Sequence, residues 1–98
     1  MRALRLRKTA RDEVEDAFEW YRGQSPKAAL HFLVALDEAL TLIRERPETF
    51  SVVTGTLRRA LLRRFPFAVY FKIYERTVNV VGVVHGHRHP RTWRRHER

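Results

Sequence analysis

Residues 57–90 read LRRALLRRFPFAVYFKIYERTVNVVGVVHGHRHP, and the architecture of the chain follows from how they alternate. Phe67 to Tyr74 is aromatic and β-branched, with Val69, Phe71 and Ile73 alternating against Ala68, Tyr70, Lys72 and Tyr74. That period of two predicts a strand with two distinct faces. Glu75 to Thr77 makes a short turn, and Val78 to Val84 is then almost uninterrupted apolar sequence. A run of that kind belongs in the middle of a sheet, covered on both faces. Before them, Leu57 to Arg64 is a basic and aliphatic run that reads as the strand preceding this pair.

Working towards the N-terminus, Thr49 to Thr56 reads as a loop, and Pro47 ends a helix expected from Pro26 to Arg46. Its apolar stripe is Ala29, Phe32, Leu33, Leu36, Leu40 and Ile43. Ser25 followed by Pro26 is a good N-cap and first-turn pair for it. An earlier helix carries Ala10, Val14, Ala17, Phe18 and Tyr21 at helical spacing, with Thr9 expected as its cap and Asp12 completing an approximate capping box. The connection between the helices, Gly23 to Pro26, is only a few residues long, so an antiparallel hairpin is the natural arrangement. Ala3 to Arg7, A-L-R-L-R, alternates as a first strand. The expected fold is α+β with the order β-α-α-β-β-β: an antiparallel sheet with an N-terminal helical hairpin packed on one face.

The chain has 98 residues, which reads as a single domain over residues 1–98. Hydrophobic residues at 44% are enough for a globular core, and the absence of cysteine excludes disulfides, thiolate metal sites and a cysteine nucleophile. Met1 to Ala10 has no signal-peptide core, and no apolar segment is long enough to span a bilayer, so a cytoplasmic protein without membrane contact is expected. The formal net charge is +9, and apart from Lys8, Lys27 and Lys72 every basic residue in that count is arginine. Arginine's planar fork suits bidentate contact with carboxylate or phosphate. Such an excess serves solubility, and it also fits an anionic partner: nucleic acid, an acidic protein segment, or both.

Two clusters concentrate this charge. The segment from His85 to Arg98, HGHRHPRTWRRHER, holds His85, His87, His89 and His96 with Arg88, Arg91, Arg94, Arg95 and Arg98 around Trp93. Arginine neutralises phosphate, histidine exchanges protons near neutral pH, and tryptophan stacks on bases. A solvated tail is the plainer reading, and Trp93 also fits a role closing the core's edge. His85, His87 and His89 have the two-residue spacing of metal ligands on a strand. Gly86 and Pro90 interrupt a regular strand, however, and no carboxylate or cysteine joins the set, so neither metal nor cofactor is expected. The second cluster is Arg58, Arg59, Arg63 and Arg64. If the strand runs through all four, Arg59 and Arg63 share a face with Leu61, and that face is expected to be open and to join the end of the last strand in one positive surface.

F-P-F-A-V-Y-F at Phe65 to Phe71, followed by V-N-V-V-G-V-V-H-G-H-R-H-P at Val78 to Pro90, resembles the RelE/ParE toxins of type II toxin–antitoxin systems. The resemblance covers nearly the whole chain in element order and is specific over about Arg58 to Trp93. It implies a toxin neutralised by a cognate antitoxin whose C-terminal segment wraps it. It also implies one of two targets. RelE-like members cleave mRNA at the ribosome with basic residues and a stacking aromatic; ParE-like members inhibit DNA gyrase. On the RelE pattern the catalytic candidates here are Arg59, His85, His87 and Arg88. The position that RelE fills with an arginine is Ala68, however, and its C-terminal tyrosine has only Trp93 nearby. The resemblance therefore favours the ParE-like branch, a non-enzymatic inhibitor. Arg59, Arg63, Arg88, Arg91 and Trp93 are then the residues expected to bind target or antitoxin. A non-catalytic nucleic-acid-binding module is the remaining alternative.

Overall fold

The computed structural model describes residues 2–86. Its elements are β1 (Ala3–Leu6), α1 (Lys8–Gln24), α2 (Pro26–Glu45), β2 (Val52–Thr54), β3 (Leu57–Leu61), β4 (Phe67–Ile73) and β5 (Thr77–His85), with a 3-10 turn at Pro47–Thr49. The strands form one sheet in the order β1-β5-β4-β3-β2. The expected α+β order is present, with two additions. A short strand, β2, lies inside the expected loop and pairs antiparallel with β3. And β1 runs parallel to β5, so the sheet is mixed where an antiparallel one was expected. Strands joined by tight turns must run antiparallel, but β1 is separated from β5 by most of the chain and no hairpin dictates its direction.

The helices begin for different reasons. Arg7 donates its backbone N–H to the Val80 carbonyl at 3.0 Å, and its own carbonyl accepts from Arg11 N at 3.0 Å. Helix α1 thus starts directly off the β1 ladder with Arg7 as its cap, and no side chain caps it. The expected Thr9 cap and capping box are not formed: Thr9 lies within the helix, and Asp12 accepts from Lys8 Nζ at 2.8 Å. Helix α2 starts as expected, with Ser25 Oγ accepting from Ala28 N at 3.0 Å and Pro26 in the first turn. Its inward stripe is Ala29, Phe32, Ala35, Leu36, Ala39 and Ile43. Leu33, expected in the stripe, is exposed, because alanines at positions 35 and 39 bring the helix close along a face turned away from it.

The main core lies between this hairpin and the sheet. Phe32 is fully buried, and Tyr21 stacks on it at 5.3 Å while the Phe65 and Phe67 rings meet it edge-on. Burial pushes the Tyr21 hydroxyl above its ordinary pKa and so favours the neutral phenol. Under the aromatics lie Val69 and Phe71 of β4 and Val78, Val80 and Val83 of β5. That Val80 and Val83, three residues apart, share a face requires a break in strict alternation. It is supplied between Tyr70 and Phe71, where the register with β5 jumps from Gly82 to Val80 and leaves Val81 as an extra residue. The bulge explains the uninterrupted apolar run, since Val81 and Val84 serve the opposite face.

That face carries a second buried cluster of Leu57, Ala68, Tyr70, Val81 and Val84, with Val53 packed against it. Strand β5 therefore has apolar contacts on both faces, as its composition predicts. Its half beyond Val80, where β1 has ended, is held by α1: the Val83 N–H donates to Glu13 Oε1 at 2.9 Å. No helix among the described residues is long and apolar enough to cross a membrane.

Candidate functional site

Strand β3 places Arg59 on the face turned away from the helices. Arg59 stands opposite Tyr70 and between Leu57 and Leu61, so its guanidinium projects beside the second apolar cluster. On the same face Lys72 of β4 lies opposite Asn79 of β5, which lies opposite Arg5 of β1. The Asn79 carboxamide oxygen is buried without a hydrogen-bond partner among the described residues. The apolar cluster itself is buried, so what this face exposes is Arg59 beside Leu61, which is 64% exposed, together with Arg5, a surface suited to a partner that carries negative charge.

Arg63 does not share this face, contrary to the alternation expected from Arg59 to Arg63. Strand β3 stops at Leu61, Leu62 turns into the helix-covered core, and the loop that follows carries Arg63 and Arg64 against α2. There they line a pocket of about 450 Å³ whose floor is Val34, Ala35 and Phe65. Arg64 adopts a φ of 67°, the left-handed region that side chains other than glycine rarely enter. The loop is closed by a hydrogen bond from Leu62 N to the Phe67 carbonyl at 3.0 Å, and Gly86 N binds the Pro66 carbonyl.

Arg58, the remaining arginine of that cluster, is structural. Its Nη1 donates to the carbonyls of Glu48 at 3.2 Å and Phe50 at 2.7 Å, and so fixes the 3-10 turn to β3. Beside it, the backbone amide of Glu48, then the Arg2 guanidinium at 2.9 Å, hold the Glu48 carboxyl below the ordinary carboxylate range.

His85 closes β5 opposite Phe67, and the two rings meet at 5.8 Å. Phe67 packs with the helix-side aromatics, so His85 is on that side and Arg59 on the other. The expected union of the strand end with the Arg59 face therefore fails for His85. Of the other residues singled out, His87, Arg88, His89, Arg91 and Trp93 lie outside the described residues. Among the described residues, no group of three or more carboxylate and imidazole side chains is placed to hold a metal ion.

Arg5, Lys72 and Arg64 also belong to these surfaces, although sequence reading did not select them as site residues. Arg64 gave a signal as part of the R-R pair before F-P-F. Arg5 gave none beyond its place in an alternating strand, since its neighbours across the sheet come from the far end of the chain.

Comparison with known proteins agrees with this architecture. Residues 4–90 match the family model of the ParE toxin of the type II toxin–antitoxin system parDE. No curated protein matches the chain. Among solved structures, a chain of the chromosomal ParDE TA system from P. aeruginosa superposes with a TM-score of 0.76 at 16% identity, over 87% of this chain and 96% of that one. At that identity the superposition speaks for the fold, and the family model carries the assignment. With strand order, hairpin and residues 4–90 in agreement, the chain belongs to the ParE toxin family of type II toxin–antitoxin systems.

Proposed function

We propose that the chain inhibits growth by binding DNA gyrase without cutting nucleic acid, and that a cognate antitoxin neutralises it. The observation that carries the non-nuclease reading is the separation of its nearest candidates. Arg59 and His85 project from opposite faces of the sheet, so no arginine–histidine pair forms from them. The position where the RelE pattern would place an arginine supports the same reading. Ala68 is fully buried between Leu61 and Val84 and offers no charge to a reacting phosphate.

The face around Arg59 is the proposed target-binding surface. Arg5 and Arg59 are exposed and have no acidic partner among the described residues, and Arg59 shares its face with the exposed Leu61. Arg63 with Arg64, on the other side of the sheet, is proposed to meet the antitoxin. An antitoxin whose flexible segment orders on binding fits cationic and apolar surfaces spread over both sides of so small a domain. The P. aeruginosa chain of like fold comes from a ParDE TA system, which supports a paired partner here. Arg88, Arg91 and Trp93 follow β5 directly in sequence and remain proposed contributors.

The test is direct. Purified chain added to gyrase and relaxed plasmid should block supercoiling, and translated mRNA in a ribosome reaction should stay intact. Site-specific mRNA cleavage that disappears in Arg88→Ala would replace this reading with the nuclease one.

A further inference from the structure

The loop between β3 and β4 holds a strained residue at the lip of a cavity. Arg64 sits at a φ of 67°, and the loop is pinned around it. The Leu62–Phe67 hydrogen bond closes its base, and the Phe65 ring is wedged against Tyr21 at 5.1 Å and Phe32 at 5.7 Å. A backbone conformation of this kind persists only where its surroundings enforce it, and such sites concentrate where a side chain must be aimed. Here the aimed side chain is the second of two adjacent arginines. Neither Arg63 nor Arg64 has a hydrogen-bonding or ionic side-chain partner among the described residues.

The cavity has three chemical parts. Val34, Ala35 and Phe65 supply an apolar floor, Arg63 and Arg64 a cationic lip, and His31 with Glu38 the polar rim on α2. Val34 is 58% exposed and Leu30, one turn before it, is 60% exposed, so the floor continues onto the open face of α2. A nucleic-acid backbone fits this poorly, since it would bring phosphates towards Glu38 and leave the apolar floor without a partner. An acidic side chain beside apolar ones fits the floor and the lip together. An apolar group covers Val34 and Phe65 and a carboxylate takes the arginine fork, while a neighbouring carboxylate on a short peptide can point to solvent away from Glu38.

The geometry points to this pocket as an anchor for an acidic–apolar peptide segment, with the antitoxin's toxin-binding segment as its occupant. The choice of occupant rests on the toxin reading above; the peptide chemistry does not. It is tested on the full-length chain by NMR of arginine Nε–Hε signals. The probes are the blocked peptide ALEELL and its amide counterpart ALQQLL. The acidic peptide should shift the Arg63 and Arg64 signals, and the amide form should bind at least tenfold more weakly. Arg64→Gly is the decisive variant, because glycine accepts the positive φ that arginine resists. It should melt no lower than the wild type while losing at least tenfold in affinity for ALEELL, and Arg63→Ala should lose a similar factor.

Equal binding of the two peptides would overturn the proposal, as would undiminished binding by the Arg63→Ala, Arg64→Gly double variant. Movement of Arg59 signals in place of Arg63 and Arg64, or displacement of ALEELL by a twelve-nucleotide single-stranded DNA, would do the same. Failure of the toxin reading looks different: growth is then unaffected by the wild-type chain while ALEELL still binds the pocket.

Discussion

The two faces of the sheet are both apolar at their centres, yet they are built for different ends. The helix-covered face is closed by side chains of the same chain: Phe32 and Tyr21 from the hairpin interlock with Phe65 and Phe67. The opposite face has its own buried cluster around Tyr70, but its margins carry Arg59, Lys72 and Arg5. Charges at such margins add little to folding and leave the face attractive to a partner. The difference teaches that the aromatic packing that stabilises the fold and the proposed target-binding face lie on opposite sides of one sheet, with the proposed antitoxin pocket at the rim of the helix side, and that β4, the middle strand, contributes to both buried clusters.

That division can be broken experimentally. The largest effect is expected from Phe32→Ala, which empties the centre of the helix-side aromatic cluster. It should cost about 3–5 kcal/mol in urea unfolding. A cost below about 1 kcal/mol would mean that the hairpin is not the principal source of stability. Next comes Glu13→Ala, which removes the acceptor of the half-buried Val83 N–H. A loss of about 1–3 kcal/mol is expected, with faster amide exchange at Val83 as the local sign.

Arg59→Ala sharpens the comparison from the other face. Its stability should stay within about 0.5 kcal/mol of wild type, because the side chain is exposed and has no ionic partner among the described residues. Growth inhibition should fall about tenfold, equivalent to about 1.4 kcal/mol of target binding. A stable variant with full potency would remove Arg59 from the proposed surface.

The smallest effect is a pH dependence. Because the folded Glu48 carboxyl is held below its ordinary pKa, its contribution is present above the unfolded value and is lost as pH falls through the folded one. Glu48→Gln should therefore show a slightly smaller fall in Tm between about pH 7 and about pH 3 than the wild type. An equal or larger fall would remove Glu48 from the acid response.

Much of the fold is legible in the residues alone. The β4 alternation of Val69 and Phe71 against Ala68 and Tyr70 assigns residues to faces as the structure has them, because a two-residue period leaves no other choice. Ser25 and Pro26 mark the start of α2 through local backbone chemistry alone. The site is less legible. Arg59 and Arg63 look equivalent in a regular strand, and only the early end of β3 at Leu61 separates them.

What the sequence determined by itself is what depends on near neighbours: the hairpin, the strand faces, the cationic excess and the resemblance to the ParE toxins. Tertiary structure alone decided the parallel seating of β1 beside β5, the bulge at Val81, the left-handed Arg64 and the partition of the arginines between two surfaces. These depend on which distant segments meet, and pairing across most of the chain leaves no periodic trace in either partner.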